Sequence, residues 1–93
     1  MSGLMYLESK QQRLKKQIAD HLDILIGSIS TKGPKRPGFN LTFKVNQITY
    51  SRHIRKETLP EVRRMTQRYQ KLKKLLQLLS DANWETIKEQ SSH

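Results

Sequence analysis

Phe39-Asn40-Leu41-Thr42-Phe43-Lys44-Val45-Asn46-Gln47-Ile48-Thr49-Tyr50-Ser51-Arg52-His53-Ile54 is the stretch that decides the fold. Apolar residues recur here at nearly every second position, the period of a strand with one covered face. The alternation is interrupted at Asn46-Gln47 and then resumes. A two-residue turn there sets Val45 opposite Ile48, Phe43 opposite Tyr50 and Phe39 opposite Ile54. The apolar side chains then share one face and the polar ones the other, with Arg52 the exception. Asn tolerates positive φ and Gln is the weaker turn residue, so the pattern argues the register more strongly than the turn chemistry does. Ser28-Ile29-Ser30-Thr31 is a candidate third strand.

A lone hairpin is marginal in water, so its apolar face calls for helices to lie on. Upstream, Leu7, Leu14, Ile18 and Leu25 share one stripe of a 3.6-residue helix with Gln11 and His21, flanked by Leu4 and Leu22. Gly27 stands where a C-capping glycine belongs, which predicts a helix over 4–26. Downstream, Thr58-Leu59-Pro60-Glu61 reads as a capping box. Val62, Met65, Tyr69, Leu72, Leu76 and Leu79 then follow at spacings of 3, 4, 3, 4 and 3, a heptad seam that Asn83 and Thr86 continue beside Ile87. The spacing predicts a helix over 58–88, loosening around 80–83. Two Pro and two Gly in Lys32-Gly33-Pro34-Lys35-Arg36-Pro37-Gly38 predict an irregular loop carrying three basic side chains.

The expected fold is therefore α+β and mostly α: one domain over 1–93, with two long helices flanking a hairpin region at 28–55. Leu75, Leu78 and Trp84 point away from the seam, which leaves the last helix apolar on more than one side. In a chain of 93 residues with only 34% apolar content, that argues for a shared seam. The expectation is a homodimer through coiled-coil-like helix packing, or a subunit of a larger complex.

Charge narrows the partner. Nine Lys/Arg lie between Arg52 and Lys74 against two acids, Glu57 and Glu61, within a net charge of +10. An excess of that kind seeks a polyanion, and nucleic acid is the commonest soluble one. Arg63 and Lys74 lie nearly opposite the leucine seam with Gln67 and Gln70 between them; Arg64 and Lys71 form one shoulder, and Arg68 borders the seam. Arg52, Arg55, Lys35 and Arg36 extend the footprint. Lys and Arg neutralise phosphates and release condensed counterions, while Gln and Arg also bond base edges. A solvated helix face mixes both signs, whereas residues 62–80 contain no acid at all. The hairpin's polar face adds Lys44 and His53. Few aromatics remain for stacking on single strands, since Phe39, Phe43, Tyr50 and Tyr69 fall on covered faces and leave Tyr6 and Trp84.

Other classes find little support. No run approaches the roughly 18 apolar residues of a membrane span, and residues 1–7 lack a secretion leader. There is no Cys, hence neither a disulfide framework nor a thiolate metal site. His21 has no carboxylate three or four residues away on its face, and His53 sits between Arg52 and Arg55, so neither reads as a catalytic base. No phosphate loop or nucleophile elbow is present. The expectation is a non-enzymatic protein without cofactor, bacterial and cytoplasmic beside the nucleoid. Nothing is assigned to Ser91-Ser92-His93.

Leu25-Ile26-Gly27-Ser28-Ile29, then Gly38-Phe39-Asn40-Leu41-Thr42-Phe43, then Glu57-Thr58-Leu59-Pro60-Glu61-Val62 and Tyr69-Gln70-Lys71-Leu72-Lys73 occur in that order. This resembles a family of small uncharacterised bacterial and phage proteins often encoded beside transposases and other mobile elements. The likeness covers about Leu14 to Leu79. Many members carry a Cys-rich stretch where this chain has residues 31–38, so no metal-dependent property carries over. The resemblance implies an accessory role at mobile DNA. Taken with the charge, it leads to a DNA-binding accessory protein; an adaptor between proteins and an RNA-associated subunit are the alternatives.

Overall fold

A computed structural model describes residues 3–91. The expectations attached to residues 1 and 2, to the Leu4 side chain and to the tail at 92–93 lie outside the described residues. The chain is α+β and mostly helical: α1 (Gly3–Ala19), β1 (Ser28–Thr31), β2 (Phe39–Val45), β3 (Ile48–Ile54), a 3-10 turn at Lys56–Thr58, and α2 (Leu59–Ser91). The chain divides into two compact units. One takes the described residues up to Leu22 with those from Gln70 onward; the other is Asp23–Tyr69.

In the second unit the strands form one antiparallel sheet in the order β1-β2-β3. Phe39 pairs with Ile54, Phe43 with Tyr50 and Val45 with Ile48, the register that alternation implied. The turn is tight because Asn46 and Gln47 both adopt positive φ, 51° and 68°, as a hairpin of this twist demands. Ser28–Thr31 completes the sheet through pairs such as Ile29 with Leu41. Leu41 and Ile54 are buried, whereas Val45, Ile48 and Tyr50 at the turn end are exposed. Tyr50 thus departs from the covered position expected of it: the sheet's apolar face is filled near Leu41 and left open toward the turn. Arg52, the exception in the pattern, lies over the Phe43 ring at 4.8 Å, and Phe43 stacks on Tyr50 at 5.6 Å. An aromatic face attracts a cation, so the guanidinium is accommodated among apolar neighbours.

The first helix is shorter than its periodicity suggested. α1 stops at Ala19, seven residues early, where the His21 ring nitrogen Nδ1 meets the Gln17 carbonyl at 2.7 Å. Leu25 therefore belongs to an irregular segment whose Leu25 N–H donates to the Met65 carbonyl of α2 (3.3 Å). Gly27 is not a helix cap. Its φ of +146° and the Thr42 carbonyl oxygen only 2.7 Å from where a Cβ would sit make it the entry point to β1 that glycine alone fits.

The capping box at α2 is also replaced. Thr58 donates its hydroxyl to the Arg55 carbonyl (3.0 Å), and the Glu61 carboxylate is taken by Arg64. The helix then runs through 80–83 without interruption. In the first unit its buried line is Leu72, Leu75 and Ala82, with Leu79 and Thr86 half-buried. Leu75 and Ala82 pack with Leu14 of α1, backed by Ile18 and Leu79. Leu75, expected to point away, is thus a core residue, and Leu76, expected in the seam, is 46% exposed. The reason lies in the sequence itself. Leu75-Leu76 offers two heptad frames, and α1 selects the one whose next position is small Ala82 rather than polar Asn83. Gln11 donates its amide to Asn83 Oδ1 (2.8 Å) and Thr86 Oγ1 (3.1 Å) at the edge of this contact.

Two outcomes follow for chemical denaturation. Leu75→Ala costs about 2–4 kcal/mol, the range for truncating a packed leucine, while Leu76→Ala costs less than about 1 kcal/mol; equal losses would refute the assigned frame. Gln47→Gly stabilises by about 1 kcal/mol, because glycine takes positive φ without strain.

Candidate nucleic-acid interface

The basic residues read from the sequence lie at the surface with one qualification. Lys35, Arg36, Arg52, Arg55, Arg63, Arg64, Lys71 and Lys74 are exposed, as is Gln67, while Arg68 is half-buried. Those on α2 keep helical spacing because the helix is uninterrupted. Arg63 and Gln67 lie at i and i+4 on one side of the helix in the Asp23–Tyr69 unit, and Gln70 and Lys74 stand in the same i, i+4 relation in the other unit.

Each half of α2 has its own electrostatics. In the Asp23–Tyr69 unit, Arg64 grips Glu61 with two hydrogen bonds, its Nε at 3.2 Å from Oε2 and its Nη2 on Oε1. The Arg64 bond holds the Glu61 carboxyl below its ordinary range, with the charges of Arg64 and Arg68 adding to it. The same bond, and the Glu61 charge, raise the guanidinium of Arg64. The pair is exposed, so Arg64 can exchange its carboxylate for another anion at little cost. Thr66 is buried one turn below and closes its hydroxyl on the Arg63 carbonyl (3.0 Å). In the other unit, Lys71 and Lys74 stand exposed, and Lys73 engages a group within the fold, as Arg68 does in its own unit.

The sheet contributes separately. Lys35 and Arg36 sit at the tip of the loop between β1 and β2, which folds back through Arg36 N–H to the Gly33 carbonyl and Lys32 N–H to the Gly38 carbonyl, both at 3.3 Å. Asn40, Thr42, Lys44, Thr49, Ser51 and His53 share the polar face, where the Ser30 and Thr42 hydroxyls lie 2.9 Å apart. Arg52 is on the opposite face, over Phe43, and Arg55 stands exposed just past β3. The ten residues therefore occupy a loop tip, a strand, a strand end and α2.

Three features were missed in the sequence. The Glu61–Arg64 pair was available from its i, i+3 spacing. The Gln11 amide bonds had only a shared stripe as a signal. Exposed Tyr50 adds a third aromatic to Tyr6 and Trp84, and nothing in the alternation foretold it. Leu78 and Trp84 are exposed as expected, Trp84 by 60%, but Leu75 leaves the candidate partner surface for the core. Among the described residues no helix is long and apolar enough to cross a membrane, and no group of three or more acids or histidines is placed to hold a metal. No protein-family model, curated protein or solved structure shows significant similarity to the chain.

The Glu61–Arg64 pair has a measurable signature. A carboxyl whose folded value is depressed contributes stability above the ordinary Glu range and loses it as pH falls through the folded value. Side-chain carbon NMR should therefore find Glu61 titrating below the ordinary glutamate range, and Arg64→Ala should return it toward that range. An unchanged midpoint in that variant would show that Arg64 does not govern it.

Proposed function

We propose that this chain is a non-enzymatic DNA-binding accessory protein that contacts the phosphate backbone with the basic residues of α2. The observation that carries the reading is the acid-free run from 62 to 80, whose Arg63, Arg64, Lys71 and Lys74 all reach solvent. Charges exposed in that number repel one another in the free protein, and phosphates relieve the repulsion while releasing counterions. Arg68, half-buried, borders the contact, and Gln67 supplies a neutral donor and acceptor beside it. Lys35, Arg36, Arg52 and Arg55 extend the footprint from the sheet. Duplex DNA is favoured over single strands because stacking platforms are few and scattered. The resemblance read from the sequence motifs to proteins encoded beside mobile elements suggests a role next to a recombinase-like machine at the bacterial nucleoid. RNA is the neighbouring alternative, since a basic helix meets its phosphates equally well.

A second reading, an adaptor between proteins, draws on a different observation. α2 leaves Leu76, Leu78, Trp84 and Ile87 exposed in a chain this small. Exposed Trp and aliphatic residues of that kind anchor partner subunits. Of the two occupants expected there, a second copy or another subunit, the nucleoprotein reading assigns the surface to another subunit.

Both readings meet one experiment. With about five phosphates engaged, log affinity for duplex DNA falls against log salt with a slope of roughly −5. The triple reversal Arg63→Glu, Arg64→Glu, Lys71→Glu should abolish binding while circular dichroism stays unchanged. A slope near zero, or retained binding in the reversed protein, would defeat the DNA reading. A complex that Trp84→Ala disrupts and added DNA leaves intact would favour the adaptor.

A further inference from the structure

We propose that β3 pairs with β3 of a second copy, antiparallel about a two-fold axis at Ser51, joining two three-stranded sheets into one of six strands. This contact is independent of nucleic acid. Sheet order makes β3 an edge, and among the described residues no strand pairs with its outer side. It is the long edge, seven residues against four in β1, and all but Ile54 are exposed. Natural edges are usually blunted by Pro, by a bulge or by several charges. β3 has no Pro, one formal charge (Arg52) and an unbroken register with β2.

The turn dictates which backbone groups face outward. In a two-residue hairpin the residues flanking the turn, Val45 and Ile48, exchange both of their hydrogen bonds, and such pairs alternate along the ladder. Ile48, Tyr50, Arg52 and Ile54 therefore spend their N–H and C=O groups on β2. Thr49, Ser51 and His53 present theirs to the open edge. An axis at Ser51 makes those three the bonding positions of a new ladder, Ser51 with its own copy and Thr49 with His53 of the second copy.

Side chains fit that register and do so twice over. Pairing about Ser51 sets Ile48 against Ile54 of the second copy and Tyr50 against Arg52 of the second copy. Apolar meets apolar, a ring meets a cation, and Arg52 never opposes its own equivalent. Tyr50 already stacks on Phe43, whose ring also holds Arg52 of its own chain, so pairing extends the run Arg52–Phe43–Tyr50 across the axis to Arg52 of the second copy. The contact covers Ile48 and Tyr50, which are 57% and 45% exposed in the single chain. An interface that answers itself in this way is what a two-fold dimer requires.

The chain has no cysteine, so single introduced cysteines report the axis directly. Opposed residues of a bonding pair have Cα atoms about 5.5 Å apart, within disulfide range. With nucleic acid removed and oxidised glutathione added, Ser51→Cys should form a covalent dimer, whereas Thr49→Cys and His53→Cys alone should not, because each faces the other position. Ser51→Pro removes an outward N–H and no bond to β2; it should weaken self-association at least tenfold by sedimentation with circular dichroism unchanged, while Trp84→Ala leaves it intact. A protein that sediments as a monomer at about 0.5 mM, cysteines at 49 and 51 that link equally well, or a dimer dispersed by Trp84→Ala and not by Ser51→Pro would each overturn the proposal. Should Ser51→Pro fail to fold, the cysteine pattern decides.

Discussion

One 33-residue helix must supply apolar cover to two compact units and still leave most of its circumference to water. That constraint organises the chain. Each unit covers its own part of α2. Toward its start Val62, Met65 and Tyr69 are half-buried with Thr66 buried; further on Leu72, Leu75 and Ala82 are buried with Leu79 half-buried. Arg63, Arg64, Lys71 and Lys74 are exposed, away from the covered positions of their own unit, and Arg68 is half-buried. The basic character of the surface is thus partly a by-product of helix sharing, since long charged side chains keep an otherwise lean helix solvated.

Interior packing is correspondingly shallow. Among the described residues seven apolar ones are buried, and no large side chain is completely enclosed. Local devices supplement that packing: the tight turn, the His21 contact at the end of α1 and the arginine over Phe43. Each is worth little alone, about a kcal/mol at most for a neutral hydrogen bond. Several of them sit at element ends, where they select where a helix or strand stops and do little to hold the core.

How much of this could be read beforehand varies with the physical basis of each signal. The β2–β3 register was legible because a slip of one residue would turn Leu41 and Ile54 to water, and alternation forbids it. The end of α1 was not, because Ile18, Leu22 and Leu25 keep helical spacing past the point where the chain leaves the helix. Tertiary bonds such as Leu25 to Met65 carry no local signature. The frame of α2 failed at Leu75-Leu76, where adjacent leucines make two stripes equally apolar and only the packing of α1 chooses. For the candidate site, composition located the basic residues, and exposure of side chains such as Arg63 and Lys74 follows from their lying away from the covered positions of their own units. What spacing could not convey was that Arg64 already has a carboxylate, or that Leu75 belongs inside.

The carboxamide of Gln11 has a consequence for alignment. It reaches across from α1 to two oxygen atoms on α2 that are three residues apart, Oδ1 of Asn83 and Oγ1 of Thr86. At Leu75 the apolar contact discriminates weakly against a shift of one helical turn, about 5.4 Å, since Leu72 or Leu79 would arrive in the vacated place. A forked amide is less tolerant: displaced by a turn, it would meet Leu79 or Gln90 instead of its two acceptors. The helix pair therefore carries a vernier, a polar mark that distinguishes one axial setting from its near-equivalents and makes sliding costlier than the greasy contact alone would.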